Sequence, residues 1–378
     1  MACANVALSR HLPPEIAFDI LSRLPAKTVM RFSCVCKEWH ALVCDSSFVT
    51  THLKRSSGTG GGYMALIADT DYRADRKFCT LLCEKTCTKQ AKVEPPPFLW
   101  ESRNFVNLGS CNGLICFKIY ARTEECPTLY MWNPIIGILK PLPPSFFCDS
   151  DLDTIATLGI AFHASTSDYK VVKITYYHRG GTPEVEIYSL STDSWKRISG
   201  ATVPRVGRSE SASLDGIIHW LNTPLKGGRE MVITTFDVDE ELFGEMALPI
   251  NYDEADARYS IESIAVVEEC LTLLFASLND RRHCTVWMMK EYGVEASWTK
   301  LYNICLQGGG EPYGLSVNGK VLHTAERRDA TSKITEEYVA YDPENSTYTH
   351  LAGTAFYSDI VTIKESLGLL DCKGCVSS

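Results

Sequence analysis

One short turn recurs along this chain at a fixed interval. Asn112-Gly113 leads into Leu-Ile-Cys-Phe, Asp215-Gly216 into Ile-Ile-His-Trp, and Asn318-Gly319 into Lys-Val-Leu-His. The turns begin at positions 112, 215 and 318, so the interval is 103 residues each time. Asx-Gly supplies the two positive φ angles of a tight hairpin turn, so each copy predicts a hairpin. A second landmark returns about twice as often: a strand ending in an aromatic, then a polar turn, at Trp132, Tyr188, Phe236, Trp287 and Tyr341. A period near fifty residues with about four strands is the pattern of propeller blades.

The segments between these landmarks agree. Gly159–Phe162, Tyr169–Tyr177, Val185–Tyr188, Val232–Phe236, Leu271–Phe275 and Thr285–Met288 are short runs rich in β-branched and aromatic residues, bounded by turn formers. The landmarks count five blades. Residues 63 to about 105 supply a sixth, with strands near Tyr63–Ile67 and Phe78–Leu82. A spare strand within Phe356–Ile363 is expected to pair back with that blade and remove the open edges. The fold class expected is mainly β, with six propeller blades behind a small helical bundle.

The bundle is read from the N-terminal stretch. Ile16, Ile20, Leu21 and Leu24 form one helical stripe, with Pro13 and Pro14 at its start and Pro25 at its end. A second helix is predicted from Ala26 to about Cys34, and a third carries Val35, Trp39, Leu42 and Val43. Asp45, Ser46 and Ser47 are cap candidates for a fourth. About 45 residues bury only a small core. The apolar residues exceed what such a bundle can hide, which implies a partner surface. Leu-Pro-x-Glu-Ile-x-x-x-Ile-Leu-x-Arg-Leu-Pro from Leu12, then Val-Cys-Lys-x-Trp, then Ser-Phe, resembles an F-box over residues 12–54. Phe32 and Cys34 depart from the family's usual residues. The resemblance implies docking on a Skp-family adaptor, and through it a cullin. The contact would be made by Leu12, Pro13, Ile16, Ile20, Leu21, Leu24, Pro25, Val29, Val35, Trp39 and Leu42.

The repeat region has a resemblance of its own. Asn112-Gly-Leu-Ile-Cys116, Trp132-Asn-Pro134, Asp168-Tyr-Lys-Val-Val172, Ile187 to Trp195 and Gly216-Ile-Ile-His-Trp220 are similar to the kelch-like F-box-associated interaction domain of plant proteins. That implies a substrate-recruiting propeller over residues 63–365 and a non-catalytic ubiquitin-ligase receptor. The client protein is not named by it. Candidate client loops, chosen as polar, Gly-rich or charged insertions, are Phe146–Thr157, Arg179–Glu184, Thr202–Ser211, Leu225–Met231 and Asn279–His283. The alternatives are a protein that sequesters the adaptor or a client outside a ligase, and, more remotely, a propeller enzyme or glycan-binding protein.

Composition narrows the remaining choices. A net charge of -9 over 378 residues argues against nucleic-acid binding, which needs cations for phosphates. The longest apolar stretch, Ile264–Leu278, is broken by Glu268 and Glu269 and is too short to span a bilayer. No signal peptide is read at the N-terminus, where residues 1–11 are expected to be disordered. The sixteen cysteines are therefore expected as thiols of a cytoplasmic or nuclear protein. Residues 55–62, with the Gly-Thr-Gly-Gly-Gly run, are expected as a flexible linker, without the Gly-Lys-Ser/Thr of a phosphate loop. Cys79, Cys83 and Cys87 do not match a zinc pattern, and Cys372-x2-Cys375 lacks a second pair. His163, His219 and His323 are expected as packed strand residues, and the repeated tryptophans as blade packing. No cofactor or metal is implied. In the tail 366–378, Cys375-Val-Ser-Ser partly meets a farnesylation signal, with an ordinary frayed end as the plainer expectation.

Overall fold

The computed structural model describes residues 12–58, 62–71, 76–83, 85–94, 105–119, 126–147, 154–177, 180–200, 202–203, 206, 211–222, 232–249, 259–307, 311–316, 318–328, 334–354, 359–370 and 376–377. Four helices come first: α1 (Pro14–Leu21), α2 (Ala26–Ser33), α3 (Lys37–Cys44) and α4 (Ser46–Gly58). Pro13 and Pro25 stand at the N-caps of α1 and α2, where a fixed φ suits helix entry. Pro25 thus starts α2; α1 has already ended at Leu21. Cys36 Sγ accepts from Trp39 N at 3.4 Å to cap α3, and Asp45 accepts from Ser47 N at 2.9 Å to cap α4. Helix α4 runs on into the stretch expected as linker. The bundle holds it there: Arg55 forms an ion pair with Asp19 at 3.0 Å, and Ser56 Oγ donates to His52 O at 2.9 Å.

The strands follow in blade order. Blade I contains β1 (Gly62–Asp71), β2 (Arg76–Cys83) and β3 (Lys89–Val93). Blade II contains β4 (Phe105–Cys111), β5 (Leu114–Ile119), β6 (Thr128–Asn133) and β7 (Ile138–Pro141). Blade III has β8 (Thr154–His163), β9 (Asp168–Tyr177), β10 (Glu184–Ser189) and β11 (Ser194–Ile198). Blade IV has β12 (Ala212–Leu214), β13 (Ile217–Asn222), β14 (Val232–Asp237) and β15 (Leu242–Met246). Blade V has β16 (Tyr259–Val267), β17 (Cys270–Ser277), β18 (His283–Met289) and β19 (Trp298–Cys305). Blade VI has β20 (Pro312–Leu315), β21 (Val321–Arg328), β22 (Ile334–Asp342) and β23 (Thr347–Thr354). Then β24 (Asp359–Lys364) returns to β1, pairing Lys364 with Gly62 and Val361 with Ala65, and gives blade I its fourth strand. Finally β25 (Val376–Ser377) pairs with β7.

The expectation of six four-stranded blades is therefore corrected. Among the described residues five sheets have that form, not six; the sheet of β4 to β7 carries β25 as a fifth strand. Its outer edge offers unpaired backbone groups at Ile138 and Leu139, which Ser377 and Val376 take up. At the start of the stretch expected as tail, Ser366, Leu367 and Leu369 are buried, and this short apolar segment packs on the blades.

Apolar clusters fill the seams between sheets. Leu158 and Val171 of blade III meet Met131 and Leu129 of blade II, for example, and Leu322 and Tyr338 of blade VI meet Leu82 of blade I. The tryptophans serve this packing. Trp195 Nε1 donates to Pro143 O at 2.8 Å, and Trp298 Nε1, 103 positions later, donates to Ala247 O at 3.1 Å. Two of the three repeated turns take up left-handed backbone at both residues, as expected: Asn112 and Gly113 have φ of 47° and 82°, Asp215 and Gly216 have 47° and 80°, while in the third Gly319 has φ of 74°.

Candidate functional site

Strand alternation sorts every connection onto one of two faces. In each blade the first strand ends, and the second begins, on the face where β24 ends and β1 begins. That is the face carrying the helices. The short turns 112–113, 215–216, 268–269 and 343–346 lie there. Contacts between turns of successive blades agree: Ser165 Oγ donates to Asp239 at 3.4 Å, and Lys320 Nζ to Lys85 O at 2.9 Å. The paired acids Glu240-Glu241 and Glu268-Glu269 occupy turns on this face. The opposite face takes the connections between second and third strands and those between blades. All five candidate client loops join strand ends on that far face. Half of their residues lie outside the described ones.

The helical bundle presents a second surface. Leu12, just ahead of α1, and Ile16 and Ile20 within it are spaced four residues apart and are 44%, 49% and 45% exposed. Val35, in the turn between α2 and α3, is 64% exposed. Pro13 and Pro25 are exposed too, and Leu24, Trp39 and Leu42 are half-buried. Trp39 packs edge-on against Phe32, with ring centres 5.7 Å apart. Leu21 and Val29 are placed differently: both are fully buried in the cluster with Ala26, Val43 and Phe48. Helix α1 has two apolar stripes, and Leu21 lies on the inner one. The outer stripe alone faces out of the bundle.

On the far face, residues 145–147 rest on a buried charge pair. Glu186 and Lys173 are buried 3.7 Å apart on neighbouring strands. Glu186 accepts from Phe146 N at 2.6 Å and Phe147 N at 3.4 Å. Lys173 Nζ donates to Ser145 Oγ at 2.6 Å and to Phe147 O. Arg197, opposite Glu186 on β11, lies over both rings, 5.6 Å from that of Phe146 and 4.3 Å from that of Phe147. Phe146 is left 60% exposed, held on a base that cannot shift without unpairing two buried charges. Sequence reasoning includes Phe146 in a candidate loop but has no signal for the ion pair beneath it.

The axis is lined by small residues of β4, β12, β16, β20 and β24, including Gly109, Ser110, Ser213, Ser263 and Gly314, around a cavity of about 140 Å3. The titratable groups there include Lys364, Tyr313 and Cys111, whose thiol burial pushes up to about 11. The strand histidines are packed. His163 is wedged between Ser165, Thr166 and Asp239. His219 Nδ1 donates to Ala212 O at 3.3 Å and its Nε2 accepts from Tyr292 at 2.8 Å. Burial pushes His219 down to about 4 and Tyr292 up to about 12. His323 Nδ1 donates to Thr324 O at 2.8 Å, and burial lowers its pKa.

Among the described residues no three His, Cys, Asp or Glu side chains gather as metal ligands, and no helix is long and apolar enough to cross a membrane. Cys79, Cys83 and Cys87 are not disulfide-bonded. Cys126 is disulfide-bonded, which corrects the expectation of sixteen thiols; that expectation rests on compartment alone and is blind to sulfurs the fold brings together. Cys375 lies outside the described residues.

Comparison with known proteins supplies the context. The profile of the F-box associated beta propeller domain matches residues 78–355, and an F-box-like profile matches residues 9–54. An F-box/kelch-repeat protein of Arabidopsis thaliana is 27% identical over 301 residues, covering 78% of this chain and 79% of its own. An F-box protein of the same plant is 29% identical over 378 residues, covering 88% and 85%. The F-box protein CPR1 of Arabidopsis thaliana is 29% identical over 324 residues, covering 78% and 73%.

Proposed function

Because the chain belongs to the family carrying the F-box associated β-propeller domain, behind an F-box-like segment, we propose that it is the substrate-recognition subunit of a Skp–cullin–F-box ubiquitin ligase. The observation that carries this reading is the outward stripe of Leu12, Ile16 and Ile20. Three large apolar side chains stand in water on a bundle whose inner stripe is already satisfied. In this reading the stripe, with Pro13, Pro25 and Val35 beside it, docks on a Skp-family adaptor. Half-buried Leu24, Trp39 and Leu42 support it from behind.

The far face of the propeller holds a client protein, with Phe146 as an anchor on its fixed base. The chain itself makes and breaks no bond. It raises the local concentration of client lysines near a charged ubiquitin-conjugating enzyme. Ile16→Asp with Ile20→Asp in the full chain tests the docking half. Both positions are exposed, so the fold should be kept. Adaptor affinity should fall on the order of 100-fold, as expected when interface anchors are replaced by charges. An unchanged affinity would overturn the reading. A bound client that is never ubiquitinated in the reconstituted ligase would favour sequestration instead.

A further inference from the structure

The first turn of α2 has no cap from its own neighbourhood. Its N-cap is Pro25, which makes no side-chain hydrogen bond. The N–H of Ala26 donates instead to Glu365 Oε1 at 2.7 Å, 339 residues along the chain. Glu365 is the first residue after β24. A carboxylate here satisfies an orphan helix donor and meets the positive end of the helix dipole. The bond crosses a cleft of about 380 Å3. Residues of the helical bundle form the rest of its described lining, and Glu365 is the propeller side chain that reaches across.

The segment bearing Glu365 is itself held from the repeat motifs. Asn133 Nδ2 donates to Ser366 O at 3.0 Å and to Gly368 O at 2.9 Å. Gly113 leaves room for it: a Cβ there would stand 2.3 Å from Lys364 O. Val361, Ile363 and Leu367 share one apolar cluster with Leu21, Ala26 and Val29.

We infer that Glu365 is the positioning residue that fixes the F-box on the propeller, by capping α2 from the strand that closes the ring. Domains joined in one chain move relative to each other by default unless a packed interface stops them. Here the motif residues Asn133 and Gly113 hold the exit of β24, the exit holds Glu365, and Glu365 holds α2. The outward stripe on α1 is thereby kept at one angle to the far face. The functional meaning of that angle rests on the receptor reading above; the joint does not.

Distance measurement between spin labels, introduced as unnatural amino acids at Ala41 of α3 and Glu245 of β15 in the full chain, tests it. Wild type and Glu365→Gln, which keeps the Oε1 acceptor, should give one narrow distribution. Glu365→Ala should widen it about twofold, as a freed domain does. Hydrogen exchange of the Ala26 amide should quicken roughly tenfold in Glu365→Ala while blade IV is unchanged. Should Glu365→Ala loosen blade IV as well, Glu365→Asp, drawn back by one methylene, takes its place and must widen the distribution. A wild-type width in the shortened variant, or widening by Gln as large as by Ala, overturns the inference. The distance needs neither adaptor nor client, so its failure leaves the receptor reading standing.

Discussion

Lys173 and Glu186 face each other across β9 and β10, buried 3.7 Å apart, and the hydrogen bonds described for them go to residues 145–147. Removing one partner strands the other charge in the interior. Glu186→Ala should lower stability by about 3–5 kcal/mol, read by denaturant unfolding. Phe146→Ala is the complementary variant. It exposes no charge and should leave stability within about 0.5 kcal/mol, yet weaken client capture in pulldowns from proteasome-inhibited cells.

The two stripes of α1 predict opposite phenotypes. Leu21→Ala and Val29→Ala empty a filled core and should each cost about 1–4 kcal/mol in the melt of the F-box. Ile16→Ala should cost under about 1 kcal/mol, because its side chain is half in water already, while still weakening adaptor binding. A calorimetric scan alongside an adaptor titration separates the two groups.

His219 makes stability depend on pH. Burial sets its folded pKa at about 4, below the ordinary 6.5 of the unfolded chain. Between those values the unfolded chain takes up the proton and the folded one does not. The stability His219 supports is therefore complete above pH 6.5 and falls as the pH drops towards 4, by at most roughly 3 kcal/mol. Burial lowers His52 and His323 in the same direction. Equilibrium unfolding from pH 7 to pH 4 should show this slope, and His219→Gln should flatten most of it.

The turn between β16 and β17 carries two glutamates in left-handed backbone, with φ of 49° at Glu268 and 60° at Glu269. Its counterparts in blades II and IV use Asx-Gly. Giving this turn the same kind of pair, by Glu268→Asn together with Glu269→Gly, should relieve strain and stabilise the chain by roughly 1 kcal/mol. A raised denaturation midpoint with unchanged slope would show it. The reverse change at Gly113, Gly113→Ala, should destabilise, since its Cβ would meet Lys364 O and the side chain of Ser366.

Some of this is legible in the sequence, for a physical reason. The hairpin turns demand positive φ at two successive residues, which few pairs tolerate well, so Asn112-Gly113 and Asp215-Gly216 announce themselves. Glu268-Glu269 makes the same turn without that signature. The outward stripe of Ile16 and Ile20 is also legible. Which apolar neighbours turn inward is not: Leu21 lies one position from Ile20, and α1 is apolar on two sides. The helical course of Arg55–Gly58 is hidden because its Ser/Gly composition reads as linker, while the tertiary bond from Arg55 to Asp19 decides it. The bond from Ala26 to Glu365 joins opposite ends of the chain, and no local pattern encodes it.

Placing most tight turns on the helix-bearing face and the connections between blades on the far one has an evolutionary corollary. Lengthening an exposed loop costs little, about 0.6 kcal/mol for each doubling. Insertions and substitutions can therefore accumulate beside Phe146 without disturbing the turns, the closing strand or the helices behind them. Under the receptor reading proposed above, one scaffold can be rewritten for new clients many times over, with its adaptor-docking stripe left as it was.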